Sequence, residues 1–432
     1  MQRRTALAAI ALIGSLALSA CSGSDQPPPT GGPVELTMWS WAPNLDKVVA
    51  LWNSGHPETK VTVQKQAGGD ELIPKILTAE KAGTGPDLVQ AEYQMIPTLV
   101  ANDALADVGK FAAGAKEKFA GNVWKQVTLG SDAVYGVPQD IAPLGLFYRC
   151  DLFEQFGLKV PATWPEFADA ARELKRKDPS RALATFSSND PGLFAGLAQQ
   201  AGAAWWTSSG DTWKVAIDDA ASRKVAGFWG GLVAEGALDN QPMYTPAWNK
   251  ALDDGKQLAW VSAVWAPGTL ATAAPSTKGK WKMAPLPQWT TGAAATGSWG
   301  GSATSVTNGA EKRGKTEAAA KFATWLNTDP AAVAALVKES AVYPAATAAQ
   351  TSSALTTPEF FPNQPDFSTL AADVAKGTAA AAWGPDVIVA YSAFKDAFGK
   401  AAQDKSDFAA ALGTVRQATV ADMKKNGFKV EG

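Results

Sequence analysis

The alternation of strand and helix patterns after residue 33 is the feature that most constrains the fold. Val34–Trp39 reads as a strand by its alternating side chains, and residues 44–53 carry apolar side chains at helical spacing. A second strand (Val61–Gln64), a second helix (Glu71–Ala82) and a third strand (Pro86–Gln90) follow. Strands separated by helices of this length predict a parallel sheet covered by helices on both faces.

Length and charge narrow the class of protein. The chain has 432 residues and a net charge of -2, with acidic and basic residues mixed along it. A chain this long exceeds what one hydrophobic core usually serves, so two domains are expected. No basic face for nucleic acid is indicated. No phosphate-binding GxxxxGK[ST] loop and no cluster of His and Cys is present, so we expect neither a cofactor nor a bound metal.

The first residues have the pattern of an export signal. Two arginines precede an apolar run over residues 6–17, and small residues lead to Cys21. This resembles a bacterial lipoprotein leader, which implies that residues 1–20 are removed and that the Cys21 thiol is lipidated. Residues 21–33 have no aliphatic side chain able to bury surface, which predicts a flexible tether. We therefore expect a protein held by lipid on the extracytoplasmic face of the bacterial membrane; the alternative is an ordinary secretory signal.

The residue inventory removes many enzyme classes. The single histidine, His56, precedes a proline and is expected in a surface turn after the first helix. No Gly-x-Ser-x-Gly nucleophile elbow accompanies it. The 41 acidic residues leave one enzymatic alternative open, a glycan-acting enzyme with a carboxylate pair.

Several motifs occur in a fixed order along the chain. They are Tyr135–Asp140, Leu146–Arg149, Asp151–Phe153, Pro161–Phe167, Ala284–Pro287 and Gly300-Gly301. Together they resemble the signature of the extracellular solute-binding proteins of the maltose/maltodextrin-binding group, which serve sugar importers of the ABC type. The similarity covers nearly all of residues 34–430.

The resemblance implies a two-lobe, type II periplasmic-binding-protein-like α/β fold. Each lobe is expected to be a mainly parallel sheet flanked by helices, with crossing strands as the hinge and the ligand in the cleft. The implied first lobe is residues 34–140 plus 299–345, and the second is residues 144–296 plus 346–432. The implied partners are a carbohydrate ligand and the transmembrane permease subunits with their cytoplasmic ATPase. The chain itself is expected to be a monomer.

Strand ends direct the search for a binding site. Ligands in open α/β sheets bind beyond the carboxyl ends of the strands, which indicates Trp39 and Trp41 after the first strand and Gln90 and Glu92 after the third. The i, i+2 spacing of the two tryptophans predicts one face, although one of them could be core. The chain has 17 tryptophans, and indole faces pack well against the C–H face of a sugar.

The resemblance adds further candidates at the crossings and on the opposite lobe. Each tryptophan has a core role as its alternative, Asp140 could instead tie down a crossing strand, and Asn189 and Asp190 could form a loop or helix cap after an expected strand over 182–186. The added candidates are Asp140, Asn189, Asp190, Trp205, Trp206, Trp265, Trp299, Gly300 and Tyr343.

The sequence therefore predicts a receptor that captures a mono- to oligosaccharide and leaves it chemically unchanged. Two alternatives stay open, the glycan-acting enzyme and the same fold binding a peptide, an amino acid or another polar solute.

Overall fold

The computed structural model describes residues 32–69, 71–351 and 355–431. The predicted leader and Cys21 lie outside the described residues, as does the tether up to residue 31. In the described ranges, no helix combines the length and apolar character needed to cross a bilayer.

The described residues form β-strands and α-helices, with short 3-10 helices in some of the connections. The strands are β1 (Val34–Ser40), β2 (Thr59–Lys65), β3 (Leu88–Glu92), β4 (Val137–Asp140), β5 (Leu144–Arg149), β6 (Trp206–Ser209), β7 (Thr212–Val215), β8 (Ala259–Ala263), β9 (Trp281–Pro285), β10 (Ser302–Val306) and β11 (Lys429–Glu431). The helices are α1 (Leu45–Gly55), α2 (Leu72–Lys81), α3 (Ile96–Ala101), α4 (Gly109–Ala112), α5 (Gly121–Thr128), α6 (Cys150–Gln155), α7 (Trp164–Lys177), α8 (Pro191–Gln200), α9 (Ala220–Ala234), α10 (Pro246–Asp253), α11 (Ala266–Ala273), α12 (Asn308–Lys312), α13 (Thr316–Thr328), α14 (Pro330–Ser340), α15 (Phe367–Lys376), α16 (Val387–Asp404) and α17 (Phe408–Lys425).

The first lobe is built on a five-stranded sheet in the order β2-β1-β3-β10-β4. β1 pairs in parallel with β2 and β3, as the helical connections between these strands predict. β10 arrives from much later in the chain and runs antiparallel to β3 and β4. The sheet is therefore mixed, and β10, from a later part of the chain, lies between β3 and β4.

The second lobe differs from the parallel sheet that was expected. Its central sheet, β8-β5-β9, is antiparallel throughout, and β6, β7 and β11 form a separate sheet. The expected strand over 182–186 makes only isolated parallel bridges, from Ala182 to Gln257 and from Thr185 to Asp239. The chain bends at Leu183, and a bend interrupts the extended backbone that a continuous ladder requires. The two-lobe α/β architecture is confirmed, while the parallel direction holds only for part of the first sheet.

Local sequence signals specify several element ends. Thr163 and Glu166 form a reciprocal capping box at the start of α7, and Trp164 is fully buried. β6 and β7 form a hairpin, with Gly210 at φ 60° in its turn. His56 follows α1 and stacks on Trp52, with ring centroids 3.5 Å apart. The expected position of His56 directly after the first helix is confirmed.

Three backbone segments lie side by side where the chain passes between the lobes. Ile141 N donates to Tyr343 O at 3.0 Å, and Trp299 N donates to Ala142 O at 3.0 Å. These segments lie at the boundaries between the lobe ranges that the resemblance implies. Next to them Gly300 and Gly301 have φ of 92° and 90°, a region that glycine occupies at little cost.

Candidate functional site

A cavity of about 830 Å³ lies between the two lobes, beside the crossing segments. Of the thirteen predicted ligand-binding residues, ten line this cavity: Trp41, Gln90, Glu92, Asp140, Asn189, Asp190, Trp265, Trp299, Gly300 and Tyr343. Three of the ten, Trp41, Gln90 and Glu92, were indicated by the strand-end rule, and residues distant in the sequence meet in this space.

Trp39 does not reach the cavity. Its indole Nε1 donates to Gln64 Oε1 on the neighbouring strand at 2.8 Å, and its ring lines a separate surface pocket with Asp87 and Arg313. β1 ends at Ser40, so the alternation of a strand does not extend to Trp41. The expectation that Trp39 and Trp41 share one face is wrong for this reason.

Trp205 and Trp206 are core residues of the second lobe and lie outside the cavity. Trp205 is 5% exposed, and its Nε1 donates to Ser222 Oγ at 2.9 Å. Trp206 is fully buried and packs so closely on Gly384 that a Cβ there would lie 2.2 Å from the indole. Neither ring is available as a cleft wall, which corrects their assignment to the opposite wall.

A chain of polar side chains crosses the first-lobe wall of the cavity. Ser40 Oγ donates to Gln90 Oε1 at 2.6 Å, and Gln90 Nε2 donates to Ser302 Oγ at 3.0 Å. The Ser302 hydroxyl in turn donates to the Asp140 carboxylate. The four residues come from β1, β3, β10 and β4, in the order of those strands in the sheet. We call this chain the polar relay; it reaches the cavity through Gln90, Ser302 and Asp140, and the buried Ser40 anchors its other end.

Asp140 ends the polar relay at the first crossing. Burial raises the pKa of its carboxyl to about 6, and the hydrogen bonds from Ser302 oppose that rise. Its backbone carbonyl accepts a bond from Tyr93 Oη at 3.0 Å. Asp140 therefore both fixes the crossing strand and presents a carboxyl group to the cavity.

Aromatic rings dominate the second-lobe wall, to which Trp299 of the adjoining crossing segment also contributes. Trp265 and Trp299 meet edge to face with centroids 4.9 Å apart, and Trp265 Nε1 donates to Trp299 O at 3.1 Å. The ring of Tyr244 lies 6.3 Å from that of Trp299. Behind them Trp248 and Trp260 are buried and pack on the same cluster. The rings that line the cavity are therefore supported by a rigid aromatic layer.

Asn189 and Asp190 line the cavity and also have the loop and helix-cap roles that the sequence left open as alternatives. Asp190 caps α8 by accepting a bond from Leu193 N at 3.1 Å. Asn189 accepts a bond from the Ser187 hydroxyl and donates to Met243 O at 3.4 Å. The loop is held in place by these bonds, so its polar groups are presented at defined positions.

Trp41 faces the cavity from the first lobe and lies against a glycine. A Cβ built on Gly68 would lie 3.0 Å from the Trp41 ring, so a larger residue there would require the ring to shift by a few tenths of an ångström. At the third crossing, Tyr343 is 7% exposed and its buried hydroxyl has no hydrogen-bond partner among the described residues. Burial raises the pKa of that hydroxyl.

Sequence reasoning missed several residues that line the cavity. Tyr244, with φ 64°, lies in a loop that carries no strand-end signal. Tyr391 and Lys395 lie on α16, which the sequence indicates only as a closing helix. The i, i+4 spacing of these two side chains was an available signal that they share one face of the helix. The missed lining residues include Gln94, Tyr244, Gly301, Ser302, Tyr391 and Lys395.

Metal binding and histidine chemistry have no support in this cavity. Among the residues that the structure describes, no group of three or more His, Cys, Asp or Glu side chains could hold a metal ion. His56, the single histidine of the chain, does not line the cavity.

The fold and the cleft define a two-lobe binding protein, and comparison with known proteins specifies the family. The family model of the bacterial extracellular solute-binding proteins matches residues 39–333. The chain belongs to this family. Its members are substrate-binding proteins of transport systems and act outside the cytoplasm.

One curated relative and two solved structures are informative. A lactose-binding protein of Rhizobium radiobacter is 29% identical over 293 residues, which cover 62% of this chain and 65% of the relative. The match thus spans slightly less than two thirds of that protein. The galacto-N-biose/lacto-N-biose I-binding protein of a Bifidobacterium longum ABC transporter, in complex with lacto-N-biose, has a TM-score of 0.83 and 26% identity, covering 93% of this chain and all of that one. A binding protein of B. animalis subsp. lactis, in complex with β-1,6-galactobiose, has a TM-score of 0.81 and 22% identity, covering 93% of this chain and all of that one, and it supports the fold.

Proposed function

We propose that this protein is the substrate-binding receptor of an ABC importer and that it captures a carbohydrate in the interlobe cavity. The observation that carries the proposal is the pairing of an aromatic wall with a polar wall across one cavity. Sugars present C–H faces that pack on indole rings and hydroxyls that need polar partners. The two walls offer both kinds of contact.

The size of the cavity and its charged groups favour a short, uncharged saccharide. Cavities of about 300–1,000 Å³ are typical of small-molecule sites, and this one measures about 830 Å³. Among the described residues, Lys395 is the single cationic side chain that lines it. An amino-acid ligand would need a charged clamp for its carboxylate, and the absence of Arg from the described lining disfavours that alternative.

A ligand screen tests the proposal directly. Lactose, lacto-N-biose, glucose, maltose and maltotriose are compared with glycine, glutamate and a dipeptide by thermal shift and by calorimetry. A sugar that binds only the native protein raises its melting temperature, by mass action. We expect at least one saccharide to bind and the amino acids and dipeptide not to bind. Binding of the dipeptide or an amino acid alone would contradict the proposal.

The same incubation separates a receptor from an enzyme. We propose that the ligand leaves unchanged, so mass spectrometry after prolonged incubation should recover the intact sugar. Cleavage that persists in Asp140→Asn and Glu92→Gln variants would indicate contamination. Cleavage lost in either variant would instead support the glycan-acting enzyme.

We further propose that Cys21 is lipidated and that the receptor is a monomer delivering sugar to membrane permease subunits. The predicted lobe ranges, 34–140 plus 299–345 and 144–296 plus 346–432, stay part of this proposal. The leader pattern supports the anchor, and two-lobe closure supports delivery. Expression in a bacterial host with a radiolabelled fatty acid tests lipidation. Label should appear on the wild-type chain and be absent from Cys21→Ser; equal labelling of both would exclude this site.

A further inference from the structure

A second concave surface lies on the second lobe, away from the sugar cavity. It is a groove of about 430 Å³ whose cationic lining side chains are Lys175, Arg181, Lys256 and Lys405. We call it the basic groove. Lys256 precedes β8, whereas Trp265 of the aromatic wall follows the other end of that strand. The two sites are thus separated by the length of β8, roughly 15 Å at 3.3 Å per residue.

The cations of the basic groove come from separate parts of the chain. Lys175 lies on α7, Arg181 and Lys256 lie in two loops, and Lys405 directly follows α16. Their convergence therefore depends on the tertiary fold and does not reflect a local run of basic residues. It also contrasts with the chain as a whole, whose net charge is -2.

Asp239 is the single carboxylate among the described lining residues of the groove, and its oxygens are already engaged. Asn240 N and Gln241 N donate to one oxygen, at 2.7 and 3.2 Å. Gln241 Nε2 and Gln257 Nε2 donate to the other, at 2.6 and 3.1 Å. The carboxylate organises this loop and does not form an ion pair with the groove lysines.

Two of the four cations remain available to a ligand. Arg181 pairs with Asp178 at 2.8 Å, and Lys175 Nζ donates to Pro179 O at 2.8 Å. Lys256 and Lys405 are exposed, and their ammonium groups make no ion pair or hydrogen bond with any residue in the described ranges. Two free ammonium groups beside two further cations create a field that attracts an anion.

We propose that the basic groove binds a phosphate-type oxyanion, carried either by an anionic phospholipid headgroup or by a free phosphate group. Ammonium groups act as compact point charges that suit phosphate oxygens. The groove is large enough for a headgroup and too small for a long polymer segment. This inference is independent of sugar capture, since no residue of the basic groove lines the sugar cavity.

The test uses the mature chain, residues 21–432, with Cys21→Ser, so that neither the apolar leader nor an acyl anchor contributes. Inorganic phosphate is titrated by calorimetry at low salt, and cosedimentation is measured with phosphatidylcholine vesicles that contain or lack phosphatidylglycerol. The test variant is Lys256→Gln/Lys405→Gln. The matched control is Lys424→Gln/Lys425→Gln, two exposed lysines of the same lobe outside the groove. Circular dichroism and sugar affinity check that both variants are folded.

We expect the groove variant to lose about tenfold in affinity and the control to change less than about twofold, since local charge pairs matter most at low salt. Loss with phosphate alone would identify a free oxyanion, and loss with phosphatidylglycerol vesicles alone would identify a headgroup. Either supports the proposal. The proposal would be overturned if the Cys21→Ser chain bound neither probe. It would also be overturned if the groove variant and the control variant lost equal affinity.

Discussion

The two walls of the cavity are built on different physical principles. The first-lobe wall carries the polar relay, a chain of hydrogen-bonded side chains that reaches the cavity at Gln90, Ser302 and Asp140. The second-lobe wall is a cluster of large rings that rests on buried indoles. A hydrogen-bonded relay fixes donor and acceptor directions, whereas a ring offers area that many ligands can use.

This difference separates affinity from selectivity. Rings that are already packed lose little side-chain entropy on binding, so most of their contact area contributes to affinity. Polar groups already desolvated in the relay discriminate against ligands that cannot satisfy them. We therefore expect ring substitutions to weaken all sugars and relay substitutions to change their ranking.

The largest expected effect is that of Trp265→Ala. Removing a central, partly buried indole from a binding site typically costs about 2 kcal/mol, or about 30-fold in affinity. Trp265→Phe keeps a ring and loses the bond from Nε1 to Trp299 O, so it should lose much less. Calorimetry with the best sugar of the screen measures both variants. Equal affinities for wild type and Trp265→Ala would remove this ring from the site.

A second prediction uses the matched pair Trp41→Ala and Trp39→Ala. Trp41 lines the cavity, whereas Trp39 lines a separate surface pocket. Trp41→Ala should weaken sugar binding by about tenfold, as expected for one lost ring contact, and Trp39→Ala should leave it unchanged. Quenching of the intrinsic fluorescence on titration gives both constants. A larger loss of affinity from Trp39→Ala than from Trp41→Ala would mean that the sugar contacts the Trp39 side of the first lobe.

Much of the first-lobe wall could be predicted from the sequence because it depends on local order. Trp41 directly follows β1, and Gln90 and Glu92 lie at the carboxyl end of β3. The helical connections of these strands were evident, and strand ends on one edge of a sheet meet. The partners of Gln90 were less accessible. Ser302 reaches it on β10, more than 200 residues later in the chain, and no local pattern indicates which strand returns beside β3.

The second-lobe wall was predicted less well because burial there depends on tertiary packing. Trp205 and Trp206 have the same local composition as a cleft wall, yet a helix and a glycine cover them. Tyr244 was missed because its loop position follows from the packing of its ring on Trp248 and Trp299. Sequence periodicity carries no information about such contacts.

The crossings that join the two walls allow a smaller, structural test. Gly301 and Gly300 both have φ near 90°, so alanine is strained at either position. An added Cβ on Gly301 would lie 2.9 Å from the Tyr93 ring, whereas one on Gly300 would meet nothing nearer than 3.8 Å. Gly301→Ala should lower the free energy of unfolding by about 1 kcal/mol more than Gly300→Ala. Denaturant titration measures the difference, and equal losses would mean that Tyr93 adjusts freely.

The smallest expected effect concerns the charge at the end of the polar relay. Burial raises the pKa of Asp140 to about 6, above its unfolded value, so the ionised form opposes folding above about pH 6 and this penalty is relieved as the pH falls. A sugar hydroxyl bonds better to the ionised carboxylate. Sugar affinity should therefore fall by about threefold from pH 7.5 to pH 5. Over the same range the free energy of unfolding should rise, because protonation of the Asp140 carboxyl relieves the cost of burying its charge.

Asp386 supplies the matched control for that pH dependence. Its pKa is also raised to about 6, by burial and by the nearby Asp422, but it does not line the cavity. Asp140→Asn and Asp386→Asn should each flatten the pH dependence of the melting temperature between pH 4 and 7. Only Asp140→Asn should also flatten the pH dependence of sugar affinity, because only that carboxyl faces the ligand. If Asp386→Asn flattened the pH dependence of sugar affinity equally, that dependence would come from the stability of the lobes. Direct contact between the sugar and the Asp140 carboxyl would then be excluded as its cause.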